Sequence, residues 1–202
     1  LGGFLDSAER GQMPLPSEAF TVADLLKQKG YKTALIGKWG LGMGNTEGSP
    51  LKHGFDYYYG YLDQKQAHNF YPTHLWENDK WDTLNQSYIN VHKKSDSANV
   101  TDADFDYFKG KDYAPALMTG KALHFIDKNK SNPFFLYLPY TIPHASLQAP
   151  DEWINKYVGQ FDEKPYYGQQ GYASVKYPLS AYAAMITYLD AQVGIIMEKI
   201  KQ

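Results

Sequence analysis

The 202 residues carry a formal net charge of −2, 43% hydrophobic side chains and no cysteine. That balance gives no electrostatic case for nucleic acid or an anionic membrane as partner, and the missing thiols exclude disulfides, zinc–thiolate centres and a cysteine-derived nucleophile within this chain. No apolar run approaches the roughly 18 residues of a bilayer span.

No N-terminal stretch has the build of a signal peptide. Leu1-Gly2-Gly3 is not a natural start, so the chain reads as an excised piece of a longer protein. Aromatic residues reach 16%, with 18 Tyr. Tyr and Trp pair a flat apolar face with a polar edge, which suits sugar rings and aryl groups.

Residues 1–20 mix Gly, Pro and charge without a period and are expected to be irregular. Thr21-Val-Ala-Asp24 is close to a capping box. Val22, Leu25 and Leu26 then share a helical face, and Gly30 supplies a left-handed cap, so 21–29 reads as a short amphipathic helix. Tyr31 to Ile36 reads as a strand buried on both faces, followed by Lys38 on a glycine-flanked turn. The glycine-rich stretch beyond it falls at the carboxyl end of a strand, where α/β folds place ligands.

Residues 54–81 form an aromatic segment, and 82–112, polar and aperiodic, read as an exposed excursion. A helix is expected from Pro115 through Leu117, Met118, Leu123 and Ile126, stopped by Asn129 to Pro133. Pro133-Phe-Phe-Leu-Tyr-Leu-Pro139 reads as a second buried strand and delivers His144 into the loop after it. Residues 150–178 read as irregular. Ser180 is placed at the cap of a last helix with Ile186, Leu189, Val193, Ile196, Met197 and Ile200 as its core stripe. Helix–strand, insertion, helix–strand and helix make an α/β class with a partial parallel or mixed sheet flanked by helices, of which this chain supplies two clear strands.

If those two strands are parallel neighbours, Lys38 and His144 emerge at the same edge of the sheet. A fixed ammonium and an imidazole there suit an anionic substrate: phosphate, sulfate or carboxylate. Taken singly, each residue is more often something plainer, a solvated lysine or a hydrogen-bonded structural histidine.

The string Gly30-Tyr31-x-Thr33-x-x-Ile36-Gly37-Lys38-Trp39, followed by Leu41-Gly42, resembles the second signature of the type I, formylglycine-dependent sulfatases. Thr21 to Leu26 resembles the helix that leads into it. Gly54-Phe-Asp-Tyr-Tyr-Tyr-Gly60 is similar to the glycine–aromatic element that follows. Pro133 to His144 is similar to the strand that ends in a substrate-facing His, and Tyr182 to Gly194 to the next helix. The resemblance is to the arylsulfatase-A-like group of the alkaline-phosphatase-like superfamily and leaves out only 82–112 and 151–178.

It implies that residues 1–202 are the central segment of a single sulfatase catalytic domain, with 60–112 as substrate-pocket loops. It implies that Lys38 contacts the sulfate and that His144 hydrogen-bonds the sulfate or the bridging oxygen. Gln64 lies near a polar active-site position of the family. His68 and Asn69, and more weakly His74, are pocket candidates from the aromatic segment. The family reads Gly-Lys-Trp-His where this chain has Gly40, and His68 is the candidate replacement.

The resemblance also implies calcium and a formylglycine made within a Cys/Ser-x-Pro-x-Arg stretch. Neither that stretch nor a cluster of hard oxygen ligands occurs here, so no residue of this chain is assigned to metal. The implied reaction is sulfuric ester hydrolysis of a sulfated carbohydrate or aryl sulfate, with the rest of the parent domain needed and no nucleic acid or membrane partner. The family suggests a periplasmic, secreted or lysosomal setting. The alternatives are a phosphodiesterase or phosphonate hydrolase of the same superfamily, and a non-catalytic carbohydrate-binding fragment.

Overall fold

In the computed structural model, which describes residues 5, 6 and 11–202 with side chains from Met13 onward, helix α1 (Val22–Gln28) is closed at both ends by its own sequence. Asp24 N–H donates to Thr21 Oγ1 at 3.1 Å and Thr21 N–H to Asp24 Oδ2 at 2.9 Å. Gly30, at φ 83°, ends the helix, with bonds from Gly30 N–H to Lys27 O (2.9 Å) and from Tyr31 N–H to Leu26 O (3.1 Å).

The expected apolar stripe is not the buried one: Val22 and Leu25 are exposed and Ala23 faces the core. The reason is a close approach. A Cβ at Gly54 would sit 2.2 Å from Asp24 N, so only the small side of the first turn fits there. Residues 1–20 are not wholly irregular, because β1 (Leu5–Asp6) pairs antiparallel with β2 (Gly11–Gln12); the rest of that reading, at 1–4 and 7–10, lies outside the described residues.

The sheet has five strands, not two. They are β3 (Lys32–Lys38), β4 (Tyr57–Tyr61), β5 (His74–Glu77), β6 (Lys80–Thr83) and β7 (Phe134–Tyr137), in the order β6-β5-β4-β3-β7. β3 runs parallel to both β4 and β7, while β4–β5 and β5–β6 are antiparallel.

The aromatic segment supplies the extra strands through period-two alternation. Tyr57, Tyr59 and Tyr61 face α3 (Ala114–Asn129) with Ile36, and Tyr58 and Leu62 face α1 with Leu35 and Phe55. Tyr57 and Tyr59 hydroxyls donate to Glu77 and Asp82 at 2.7 Å each. β3 is buried from Thr33 to Gly37 as expected. β7 is not doubly buried, because it lies at the sheet edge and Tyr137 is exposed.

Two stretches read as irregular are built into the second core. From 82–112, Ile89, Val91 and Phe108 pack with Phe70, Met185 and Tyr188, and α2 (Asp102–Asp106) carries a Thr101/Asp104 capping box. From 150–178 come α4 (Asp151–Ile154) and Trp153, edge-on to Tyr188 at 5.1 Å.

The last helix, α5, starts at Pro178 and runs to Ile200. Ser180 is inside it, and the cap is Glu163, which accepts from Leu179 N–H (2.7 Å), Ser180 N–H (3.2 Å) and Ser180 Oγ (2.5 Å). Its buried face is Ala181, Ala184, Met185, Tyr188, Gln192 and Ile196. Ile186, Val193, Met197 and Ile200 are exposed, because the small alanines set the contact with α3 and α4. By length and composition alone α5 could cross a membrane, contrary to the expectation from uninterrupted apolar runs. One face of it packs against α3 and α4.

Candidate functional site

The parallel β3 and β7 do bring Lys38 and His144 to one end of the sheet. Lys38 is the last residue of β3 rather than part of the turn: it pairs with Tyr61, and its N–H donates to Pro139 O at 3.0 Å. The strands converge just before it. Gly37 and Gly60 are register partners at φ 146° and 145°. A Cβ on Gly60 would lie 1.9 Å from Gly37 O, and one on Gly37 2.2 Å from Pro139 O. Glycine at both positions lets three backbones close up and hold the lysine at their common end.

Each neighbouring loop delivers a histidine. The 3₁₀ turn after β4 (Gln66–His68) carries His68. The loop after β7 carries His144, whose Nδ1 bonds Ala145 O. Ser146 N–H donates to His68 O at 3.4 Å, which ties the two loops together. The rings of His68 and His144 stack at 5.3 Å between centroids and 5° between planes. His92 meets His68 edge-on at 6.0 Å and anchors its Nδ1 on Gly171 O at 2.5 Å. Tyr172 packs edge-on against both stacked rings, at 5.3 Å and 6.1 Å.

Carbonyl oxygens only accept, so the Nδ1 atoms of His92 and His144 carry protons and their Nε2 atoms are left for other partners. Burial, then the charges of His144, His92 and Lys38, hold the His68 imidazolium below its usual range, with Asp63 opposing. Burial likewise lowers Lys38. Among the described residues no carboxylate lies within salt-bridge distance of the Lys38 ammonium. An ammonium with no paired carboxylate, beside imidazoles that donate at Nε2 when protonated, is chemically able to take an oxyanion.

The other expected residues divide. Asn69 adjoins the cluster, but its side chain is spent on the scaffold: Nδ2 donates to Ile89 O at 3.4 Å and Oδ1 accepts from Tyr71 N–H at 3.0 Å. Gln64 is half-buried in the turn after β4. His74 opens β5, which runs antiparallel to β4 with Gly60 opposite Trp76, so it lies at the same end of the sheet as Lys38, and it stacks on Trp81 at 4.1 Å. Gly40, where a His was expected, has φ 76°, a left-handed backbone that favours glycine. His92 and Tyr172 were not foreseen, because both come from segments without periodicity.

The family model for Sulfatase matches residues 3–202. The chain belongs to the sulfatase family. It is 27% identical to an arylsulfatase of Klebsiella aerogenes over 95% of this chain and 45% of that one. It is 34% identical to an arylsulfatase of Hemicentrotus pulcherrimus over 69% of this chain and 24% of that one. The solved structure of Ps i-CgsB in complex with k-i-k-neocarrahexaose superposes with a TM-score of 0.66 at 26% identity, over 93% of this chain and 38% of that one. This sulfatase chain therefore spans less than half the length of the relatives it matches.

The family generally uses calcium and formylglycine. Among the described residues no group of three or more His, Asp or Glu side chains could hold a metal ion, and the sequence has no Cys/Ser-x-Pro-x-Arg stretch. The donor set present here does not fit either group.

Proposed function

We propose that residues 1–202 are the central segment of one sulfatase catalytic domain and supply the sulfate seat of a sulfuric ester hydrolase. The observation that carries this is the meeting of Lys38, His68 and His144 at the carboxyl ends of two parallel strands and the loops that follow them. Lys38 supplies the point charge for the sulfate oxygens. Its partial burial strengthens the attraction, and among the described residues no ion pair of Lys38 must be broken first.

His68, held toward its neutral form, offers a hydrogen bond beside that charge and takes the place of the family His absent at Gly40. His144, with Nδ1–H held by Ala145 O, accepts a proton at Nε2 when neutral and gives one up only as imidazolium. It is the group for the bridging oxygen of the leaving alcohol. His92 completes the wall; with Nδ1–H on Gly171 O, its Nε2 donates to an oxyanion only when the ring is an imidazolium.

In the intact parent, formylglycine would supply the nucleophile and calcium the countercharge, both from outside these residues. The substrates in keeping with the relatives' names are an aryl sulfate or a sulfated carbohydrate. The test is hydrolysis of an aryl sulfate by the intact parent and by the 202-residue chain. Turnover in the parent, lost on Lys38→Ala, and none in the chain alone is the expected result. Turnover by the chain alone contradicts the division of labour. Preferential hydrolysis of a phosphodiester by the parent would favour the phosphodiesterase reading.

A further inference from the structure

A cavity of about 270 Å³ lies between α2, α4 and residues 174–177, walled largely by the two stretches that carry no periodicity. Its lining includes neither Lys38 nor any histidine. That volume is at the small end for ligand sites. We infer that this cavity binds a small organic cation, an ammonium on a short apolar stem; the inference stands independently of the sulfate seat.

Two features carry it. The first is a buried hydroxyl without a partner. Tyr71 lines the cavity and is only 4% exposed. Its amide donates to Asn69 Oδ1 at 3.0 Å, but among the described residues no hydrogen bond engages its hydroxyl. Burial first, then the charges of Asp151 and Glu152, push the phenol up. The hydroxyl therefore stays protonated in a negative field, and a buried polar group left without a partner is costly. A ligand that donates N–H to the phenol oxygen removes that cost.

The second feature is charge. Asp102, Asp106 and Asp151 line the cavity against Lys109 and Lys176, which leaves one negative charge uncompensated. Lys109 Nζ lies 2.8 Å from Asp106 Oδ1 and 2.9 Å from Asp151 Oδ2, and Lys176 Nζ lies 2.6 Å from Asp102 Oδ1. Among the described residues the other oxygen of each carboxylate has no partner. Both ammoniums are thus paired while all three carboxylates can accept again, which favours a cation over an anion. Among the described residues no group of three or more His, Asp or Glu side chains could hold a metal ion. Phe105, Phe108, Ile154 and Val175 supply the apolar lining. A hydrocarbon stem gains from that lining and a bare inorganic cation does not.

The test is calorimetric titration of the intact parent, near neutral pH, with isoamylamine, and with isoamyl alcohol, isovalerate and ammonium chloride to separate stem from charge. The amine is expected to bind roughly tenfold or more tighter than the other three. Asp151→Asn, which removes the excess charge, should abolish most of that preference. Tyr71→Phe keeps the ring and breaks no hydrogen bond among the described residues; it should weaken the amine several-fold without lowering the melting temperature. No binding of the amine, tighter binding of isovalerate, or equal binding of the alcohol or of the bare ammonium ion overturns the inference. So does an amine affinity untouched by both substitutions, which would put the ligand elsewhere.

Discussion

The imidazoles of His68 and His144 lie face to face, 5.3 Å apart and 5° from parallel, although one follows β4 and the other β7. Two stacked imidazoles that were both charged would repel. The pair is stable with at least one ring neutral, or with an anion seated against both.

That relationship has a pH signature. His68 is held below the ordinary imidazole value of 6.5 by burial first and by its cationic neighbours second. The unfolded chain therefore binds the extra proton and the native chain resists it. Stability is fully present above about pH 6.5 and declines as pH falls through the lower native value. An anion in the seat reverses the preference, so sulfate binding takes up a proton and tightens over the same window. Melting temperature and sulfate affinity measured from about pH 7.5 to about pH 5 should move in opposite directions in the wild type, and His68→Gln should flatten both trends.

Gly60 supports the site by having no side chain. A Cβ there would meet Gly37 O at 1.9 Å, in backbone that cannot retreat. Gly60→Ala is expected to cost roughly 3 kcal/mol or more. Gly30→Ala, at φ 83° but with nothing within 4 Å of the new Cβ, should cost only about 1–2 kcal/mol. Urea midpoints of the two variants check the contrast; equal losses would mean that close packing at 60 is not what matters.

His53 is 1% exposed, and its two ring nitrogens face Ala19 O at 3.2 Å and Glu47 O at 3.1 Å. It fastens the approach segment to the glycine-rich loop after Lys38. His53→Ala should lose about 2–4 kcal/mol, from the cavity and the stranded carbonyls. Thermal unfolding reads this directly, and a loss within experimental error would contradict a structural role.

Glu163 caps α5 from outside the helix, with its carboxylate over the first-turn amides. Glu163→Ala is expected to destabilise by roughly 1–2 kcal/mol through the lost cap and its favourable helix-end charge. Circular dichroism melts measure it. Ser180→Ala should cost less, since it removes only the Oγ bond and keeps the two amide bonds to Glu163.

Much of this was legible in the chain itself. The capping box at Thr21, the left-handed Gly30 and the apolar run before Gly37 set α1 and β3, and Lys38 and His144 shared a sheet edge on the condition, met by β3 and β7, that the two strands are parallel neighbours. The β5–β6 hairpin was readable too: Asn78-Asp79 separates two short aromatic runs, and Asn78 takes the φ of 58° such a turn needs. So was α2, since Thr101-x-x-Asp104 repeats the pattern of Thr21-x-x-Asp24. His92 was not. It reaches the cluster through a bond to Gly171 O, between two aperiodic loops whose pairing is tertiary. The stripe on α5 misled because the helix is apolar on two sides, and Ala181 and Ala184, rather than the largest residues, choose which side packs.

The central claim is that Lys38 seats a sulfate. Calorimetric titration of inorganic sulfate into the intact parent and its Lys38→Ala variant tests it most directly. The loss of one charge-assisted contact, about 1.5–3 kcal/mol, should weaken binding roughly ten- to hundredfold. Equal affinity in the two proteins would contradict it.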